Sequence, residues 1–296
     1  ILGLHKKLPI QDAWIKLNIL TEEELKRKQT ETQWDFLNQY DEYSGRRSGK
    51  TYDAETLVIE PGNKVVLAGP GMGKRTLCKK LFLQAGAMNK FAIKVRLWDV
   101  AGYMREGVAF EIALCKAMCQ SLAVEFTKAE LAHFFSIIIL DGLDECGDYR
   151  RTVAKSIAAW GYGHPYQMII VTSRPIGYDL TELADYNHYQ ILPMDEWQME
   201  SSSQKLMELV QQDCEKQYQW FRKRLQNYEL HKLACRSPLV LGFMVQLSLQ
   251  KKDFGNSKIS LYQEIVNEWL QGSSRDNEKI ISEVELLYGI EAIAFY

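Results

Sequence analysis

The chain has 296 residues, 46% of them hydrophobic, so it can bury the core of one large domain or two smaller ones. Its 36 lysines and arginines are balanced by 38 acidic residues, and the net charge of -2 gives no overall attraction to nucleic acid or to an anionic membrane. No apolar run approaches the roughly 20 residues of a membrane span. The six cysteines lack the paired spacing of zinc sites and are interpreted as reduced thiols, which favours a cytoplasmic protein.

The N-terminal region predicts a helical lead-in. Thr21 and Glu24 have the spacing of a capping box, and the helix that they begin runs to a polar linker at residues 44–50. A short strand from Leu57, a turn at Pro61–Asn63 and a second strand then lead into a glycine-rich stretch. The chain starts at Ile1 without an initiator methionine, and we interpret it as a piece of a longer protein.

Strand-like and helical segments alternate after this point, which predicts an α/β fold. Alternation of this length is typical of a mainly parallel sheet flanked by helices on both faces, here five-stranded. From Glu196 to Leu270 the periodicity is helical, with breaks at Ser237–Pro238 and near Phe254, which predicts a small all-helical second domain. The further predicted strands are Phe91–Val100, Ser136–Leu140, Met168–Thr172 and Tyr189–Leu192, with helices at Phe110–Leu122 and Arg151–Trp160.

A phosphate-binding loop is predicted between the strand KVVLAG and the helix that follows it. The segment is close to the pattern GxxxxGK[ST], in which glycines let backbone amides approach phosphates and the lysine reaches the terminal ones. In this strand-loop-helix setting the pattern predicts an α/β P-loop NTPase fold. The predicted binding residues are Gly69, Pro70, Gly71, Met72, Gly73, Lys74, Arg75 and Thr76.

Arg75 departs from the P-loop pattern, because it stands where a hydroxyl normally holds magnesium. Thr76 lies one residue further, about 100° around the helix, and cannot simply replace that ligand. Two hypotheses follow. Either Arg75 supplies positive charge to the phosphates and weakens the dependence on metal, or it turns into solvent and Asp141 holds Mg²⁺ through water.

Acidic and basic side chains follow two later strands. Asp141 ends the strand SIIILD and is predicted to hold magnesium, while Asp144 or Glu145 is placed to orient or deprotonate the attacking water. Arg174 follows the strand MIIVTS and is expected at the same sheet edge, since the carboxyl ends of parallel strands share one edge. There it would sense the terminal phosphate; the alternative is a solvated arginine that ends a strand.

Taken together, GPGMGK, LDGLDE, TSRP and CRSPLVLGFM resemble the successive motifs of the NACHT family, within the STAND class of P-loop ATPases. The resemblance spans about residues 57–270. It implies an ATP- or ADP-binding switch with Mg²⁺ that opens and self-associates on nucleotide exchange, with slow hydrolysis as the reset, in innate immunity. The motif TSRPIGY is more similar to bacterial members, which points to anti-phage, antiviral defence.

The resemblance also implies residue roles and domains. Lys74 would bind the β- and γ-phosphates, Arg174 the γ-phosphate, and Pro238 would pack near the adenine. The implied domains are a lead-in and linker at 1–50, a nucleotide-binding domain at 51–195, a helical domain at 196–273 and the start of a winged-helix domain at 274–296. An effector and a sensor domain are expected outside the chain.

Two other interpretations stay open at this stage. One is a scaffold that keeps nucleotide for structure and has lost catalysis through Arg75. The other is an AAA+-like remodelling ATPase. Neither membrane nor direct nucleic-acid binding is predicted; the aromatic and basic run at residues 218–224 is interpreted as an amphipathic helix with a solvated edge.

Overall fold

The described part of the chain divides into an α/β unit and a helical unit. The computed structural model describes residues 8–21, 51–122, 127, 134–176 and 178–273. The α/β unit contains the described residues of 16–69 and 74–192, and the helical unit contains those of 8–15, 70–73 and 193–273. The bounds of the four domains given above stay predictions.

The α/β unit is built on one mainly parallel sheet, which confirms the predicted fold class. In the described residues its strands are β1 (Asn18–Thr21), β2 (Tyr52–Asp53), β3 (Lys64–Leu67), β4 (Ala92–Arg96), β5 (Ile137–Asp141), β6 (Met168–Ser173) and β7 (Asn187–Ile191). Their order is β2-β1-β7-β3-β6-β5-β4. Strands β3 to β7 are parallel to one another, and β1 adds to β7 in the antiparallel sense, with β2 antiparallel beyond it.

Helices flank this sheet. In the described residues they are α1 (Lys74–Ala87), α2 (Leu97–Arg105), α3 (Phe110–Leu122) and α4 (Arg150–Gly163). Strands β3 and β5 are buried along their whole length, which explains why their sequences are continuous apolar runs instead of alternating ones. The core between sheet and helices joins strand residues such as Leu140 and Val171 to helix residues such as Leu114 and Ile157.

Lys64, at the start of β3, is a fully buried lysine. Its Nζ donates hydrogen bonds to the backbone carbonyl oxygens of Glu60, Gly62 and Pro61, at 2.6, 2.7 and 3.3 Å. Burial lowers the pKa of Lys64 to about 8, although the nearby Glu60 carboxylate acts in the opposite direction. The Lys64 ammonium therefore stabilises the turn that leads into β3, the strand before the glycine-rich loop.

The helical unit has its own apolar core, around Phe221, Leu241, Met244 and Phe254. Ser237 caps the helix Pro238–Leu249, where its hydroxyl accepts a hydrogen bond from the Val240 amide at 3.3 Å, and Pro238 takes the first helical position. The helices described in this unit are α5 (Glu196–Val210), α6 (Glu215–Arg224), α7 (Tyr228–Arg236), α8 (Pro238–Leu249) and α9 (Lys258–Ser273).

Several local predictions differ from the structure. The strand predicted from Leu57 is wrong, since Ala54–Val58 forms a 3-10 helix. The antiparallel strands β1 and β2 were not predicted, because four and two residues are too short to show a periodicity. The lead-in helix beyond Thr21 and the winged-helix start at 274–296 lie outside the described residues.

Within the described residues, every helix falls short of the length and apolar character needed to cross a membrane. In the run at 218–224, Tyr218 and Phe221 are buried in the helical core, and Arg224 forms an ion pair with Asp253. Most of the aromatic surface of that run therefore serves packing.

Candidate functional site

The glycine-rich loop follows β3 and leads directly into α1, as predicted. Gly71 and Gly73 have φ angles of +70° and +89°, a region that side-chain-bearing residues rarely adopt. Gly69 and Met72 are buried, and Thr76 lies partly buried in the first turn of α1. The two glycines are thus required for the turn that presents backbone amides at the start of the helix.

Residues 70–73 of this loop belong to the helical unit, and they contact the start of α8 there. The Gly71 carbonyl accepts a hydrogen bond from the Ser237 hydroxyl at 3.2 Å and another from the Leu239 amide at 3.3 Å. Pro238 stands between these two donors. The predicted adenine-side residue therefore lies next to the tip of the glycine-rich loop.

Lys74 and Arg174 meet on one carboxylate in the α/β unit. Asp144 Oδ1 lies 3.3 Å from Lys74 Nζ and accepts a hydrogen bond from the Arg174 amide at 3.0 Å, while Oδ2 lies 3.1 Å from Arg174 Nε. Burial lowers the pKa of Lys74, and the charge of Asp144 opposes that shift. Motifs separated by a hundred residues in sequence thus form a single charge cluster, and Arg174 is not a solvated strand end.

Asp141 ends β5 and is nearly buried, with a side chain only 5% exposed. Its Oδ1 accepts a hydrogen bond from the Thr172 hydroxyl at 2.9 Å, and that hydroxyl accepts one from the Gly142 amide at 3.0 Å. Its Oδ2 lies 3.4 Å from Lys94 Nζ. The carboxylate is therefore fixed from two neighbouring strands, by Thr172 on β6 and Lys94 on β4.

Lys94 was missed by the sequence analysis, and so was the role of Thr172. Lys94 is unusual inside the apolar run FAIKVRLW, of which Ala92–Arg96 forms β4, and lysines at such positions normally have a partner. The sequence pattern alone does not identify the acidic residue with which Lys94 pairs. The answer depends on β4 lying beside β5, which local sequence does not reveal.

Arg75 is held by acidic side chains instead of turning freely into solvent, and the hypothesis that it supplies charge to phosphates stays a prediction. Its Nη2 donates to both carboxylate oxygens of Glu145, at 2.8 and 3.1 Å, and its Nε lies 3.9 Å from Asp141 Oδ2. Its side chain is 49% exposed, so the guanidinium sits at the rim of the site and bridges two acids. Burial raises the pKa of Glu145, and the Arg75 charge is the largest influence against that rise.

Gly142 explains how Glu145 reaches this position. Its φ angle is +85°, and a Cβ placed on it would lie 3.0 Å from Glu145 Cδ. The carboxyl group of Glu145 therefore packs over a residue that has no side chain. This gives a physical reason for the glycine between Asp141 and the two following acids.

A resident Mg²⁺ fits this set of residues poorly. The P-loop position that normally offers a hydroxyl ligand carries Arg75, and Asp141 already faces two cations and a hydroxyl donor. A divalent cation at Asp141 would stand beside Arg75 and Lys94, and like charges at such distances repel. Asp141 as a Mg²⁺ ligand stays a prediction.

Comparison with known proteins leaves the function open. No protein-family model matches the chain, and no curated protein matches it. Domain III of the Thermotoga maritima replication initiation protein DnaA is similar in structure, with 12% identity, coverage of 65% of this chain and 87% of that one, and a TM-score of 0.39.

Two other solved structures are similar at the same low level. A replication initiator DnaA bound to AMPPCP and single-stranded DNA has 15% identity, coverage of 75% of this chain and 61% of that one, and a TM-score of 0.37. A katanin structure concerned with self-assembly has 14% identity, coverage of 81% and 76%, and a TM-score of 0.38. Such values transfer neither a ligand nor an activity to this chain.

Proposed function

We propose that this chain is a nucleotide-binding switch module similar to NACHT domains, which binds ADP or ATP through the glycine-rich loop. The observation that carries the proposal is the convergence of Lys74, Asp144 and Arg174 at the edge where β5 and β6 end and α1 begins. Three separate sequence motifs supply these residues. A turn that merely joins a strand to a helix has no need for the other two.

The cluster suits a polyphosphate on electrostatic grounds. Lys74 and Arg174 are held close together by one carboxylate, and a phosphate chain that displaced Asp144 would find two cations already in place. Backbone amides of the loop and the amino end of α1 would add to the attraction. In this proposal Lys74 contacts the β- and γ-phosphates and Arg174 the γ-phosphate.

Slow hydrolysis is the second part of the proposal. Glu145 or Asp144 would orient or deprotonate the attacking water. Burial makes Glu145 a stronger base, whereas its contact with Arg75 works against proton uptake. A base restrained in this way suits a switch that resets slowly. We propose that nucleotide exchange leads to self-association of the chain, and that this self-association is the signal. The proposed setting is immune, antiviral defence of the bacterial kind.

The scaffold interpretation is favoured by the same ion pair between Arg75 and Glu145. If the guanidinium never leaves Glu145, that carboxylate is not free to act as the base, and in the scaffold interpretation nucleotide has only a structural role. Multiple-turnover ATP hydrolysis separates the possibilities. A switch turns over slowly, a scaffold does not turn over, and a remodelling motor turns over briskly with stimulation by its partner.

The first experiment identifies the nucleotide that copurifies with the chain, released by denaturation and separated by chromatography. We expect bound ADP in the wild type and none in Lys74→Ala. Lys79→Ala is the matched control, because Lys79 is an exposed lysine on the same helix. If the folded wild type neither carries nor binds ADP or ATP, the proposed function is wrong.

A further inference from the structure

Arg75 lies where P-loop proteins place the hydroxyl ligand of a divalent cation. The structure gives this arginine two acidic neighbours, Glu145 at 2.8 Å and Asp141 at 3.9 Å. These are the two acids that the sequence analysis connects with metal binding and with water. The guanidinium therefore contacts both of the acids that were predicted to take part in metal binding and in positioning of water.

A second cation reinforces this arrangement. Lys94 Nζ lies 3.4 Å from Asp141 Oδ2, on the oxygen that Arg75 Nε also faces. In the described part of the site, four cationic side chains face three carboxylates, which leaves one positive charge in excess. The cations are Lys74, Arg75, Lys94 and Arg174, and the acids are Asp141, Asp144 and Glu145.

This balance changes what a nucleotide needs in order to bind. With a threonine or serine at position 75 the same groups would sum to zero, and an anionic polyphosphate would require an added cation. With Arg75 the site is already positive. Arginine also binds phosphate oxygens through a planar fork of donors that a metal ion lacks.

We propose that the Arg75 guanidinium, together with Lys94, supplies the charge that a divalent cation supplies in other P-loop proteins, so that ADP and ATP bind here without metal. The inference rests on the proposed nucleotide site and specifies how that site neutralises phosphate charge.

The test measures the dissociation constant for ADP by calorimetry, once with EDTA and once with excess Mg²⁺. For the wild-type chain, stripped of nucleotide, we expect the two values to agree within about threefold, a difference below about 1 kcal/mol. For Arg75→Thr, which restores a hydroxyl, we expect binding at least about tenfold tighter with Mg²⁺ than with EDTA. Arg75→Lys keeps the charge and should resemble the wild type, and Lys79→Thr controls for the loss of a positive charge elsewhere on α1.

Two results would overturn the inference, and they have different meanings. Wild-type binding that weakens more than about tenfold in EDTA shows that a metal is needed, while the nucleotide site itself stands. Absence of binding in both solutions removes the nucleotide site and this inference together. The wild-type comparison requires no substitution. It therefore still tests the inference if a variant fails to fold.

Discussion

Lys74 Nζ lies 3.3 Å from Asp144 Oδ1, so the lysine expected to bind phosphate is already paired with a carboxylate. Both side chains are largely buried, at 14% and 13% exposed. An incoming phosphate must compete with this carboxylate for the ammonium. In the proposed nucleotide site, Asp144 would therefore limit affinity in addition to any part in hydrolysis.

Asp144→Asn should therefore tighten ADP binding by about tenfold, since it removes a negative charge next to the two cations proposed to bind phosphate. The same substitution should slow hydrolysis if Asp144 orients the water. Calorimetry with ADP measures the first effect. Asp148→Asn, at an exposed position nearby, should leave the affinity unchanged. Weaker binding by a folded Asp144→Asn protein would show that the carboxylate helps to hold the nucleotide.

Glu145→Gln separates chemistry from binding. The amide keeps the size of the side chain but cannot accept a proton, so single-turnover ATP hydrolysis should fall by about a hundredfold or more. ADP binding should not weaken, because Glu145 is not expected to contact phosphate and its neutralisation leaves the Arg75 charge unopposed. Glu106→Gln, at the exposed end of α2, is the control. An unchanged rate would shift the role of base to another group.

Gly142→Ala tests the packing of Glu145. The φ angle of +85° and the 3.0 Å approach of Glu145 Cδ both oppose a methyl group, so we expect a loss of about 1–3 kcal/mol of unfolding free energy. Gly86→Ala is the matched control within α1, where a Cβ meets nothing within 4 Å. It should leave stability unchanged or raise it by up to about 1 kcal/mol. Denaturant titration measures both, and equal effects would contradict the argument.

The lowered pKa of Lys64 predicts that the free energy of unfolding depends on pH. Its folded pKa is lowered to about 8 from 10.5, so between these values the unfolded chain binds the proton and the folded chain does not. Stability due to Lys64 must therefore rise with pH across that range, by about 3 kcal/mol. Unfolding free energies of the wild type and Lys64→Met, compared from pH 7 to pH 10.5, isolate this contribution. A difference that stays constant with pH would contradict the lowered pKa.

Much of the site could be predicted because its residues stand at strand ends. Once β3, β5 and β6 are taken as parallel, Lys74, Asp141 and Arg174 must emerge at one edge. The partners of Asp141 could not be found in this way. Lys94 and Thr172 reach it from the two strands beside β5, and strand order is a property of the folded sheet.

The errors have equally specific causes. A short apolar run such as the one at Leu57 does not distinguish a strand from a single helical turn by periodicity, and here it forms a 3-10 helix. The direction of Arg75 was left open because a long exposed side chain on the first turn of a helix can reach either solvent or a neighbouring loop. The packing of Glu145 over Gly142 brings the Glu145 carboxylate within reach of Arg75.

The hydrogen bond between Thr172 and Asp141 joins strands one residue beyond the Leu140–Val171 pair. A slip of one residue would turn Thr172 to the opposite face of the sheet and leave the acid without this donor. A chain emerging from a ribosome and ending before β6 would carry the complete glycine-rich loop but lack both Thr172 and Arg174. In the proposed nucleotide site, any contact that needs Arg174 could therefore form only after β6 has paired with β5 in the correct register.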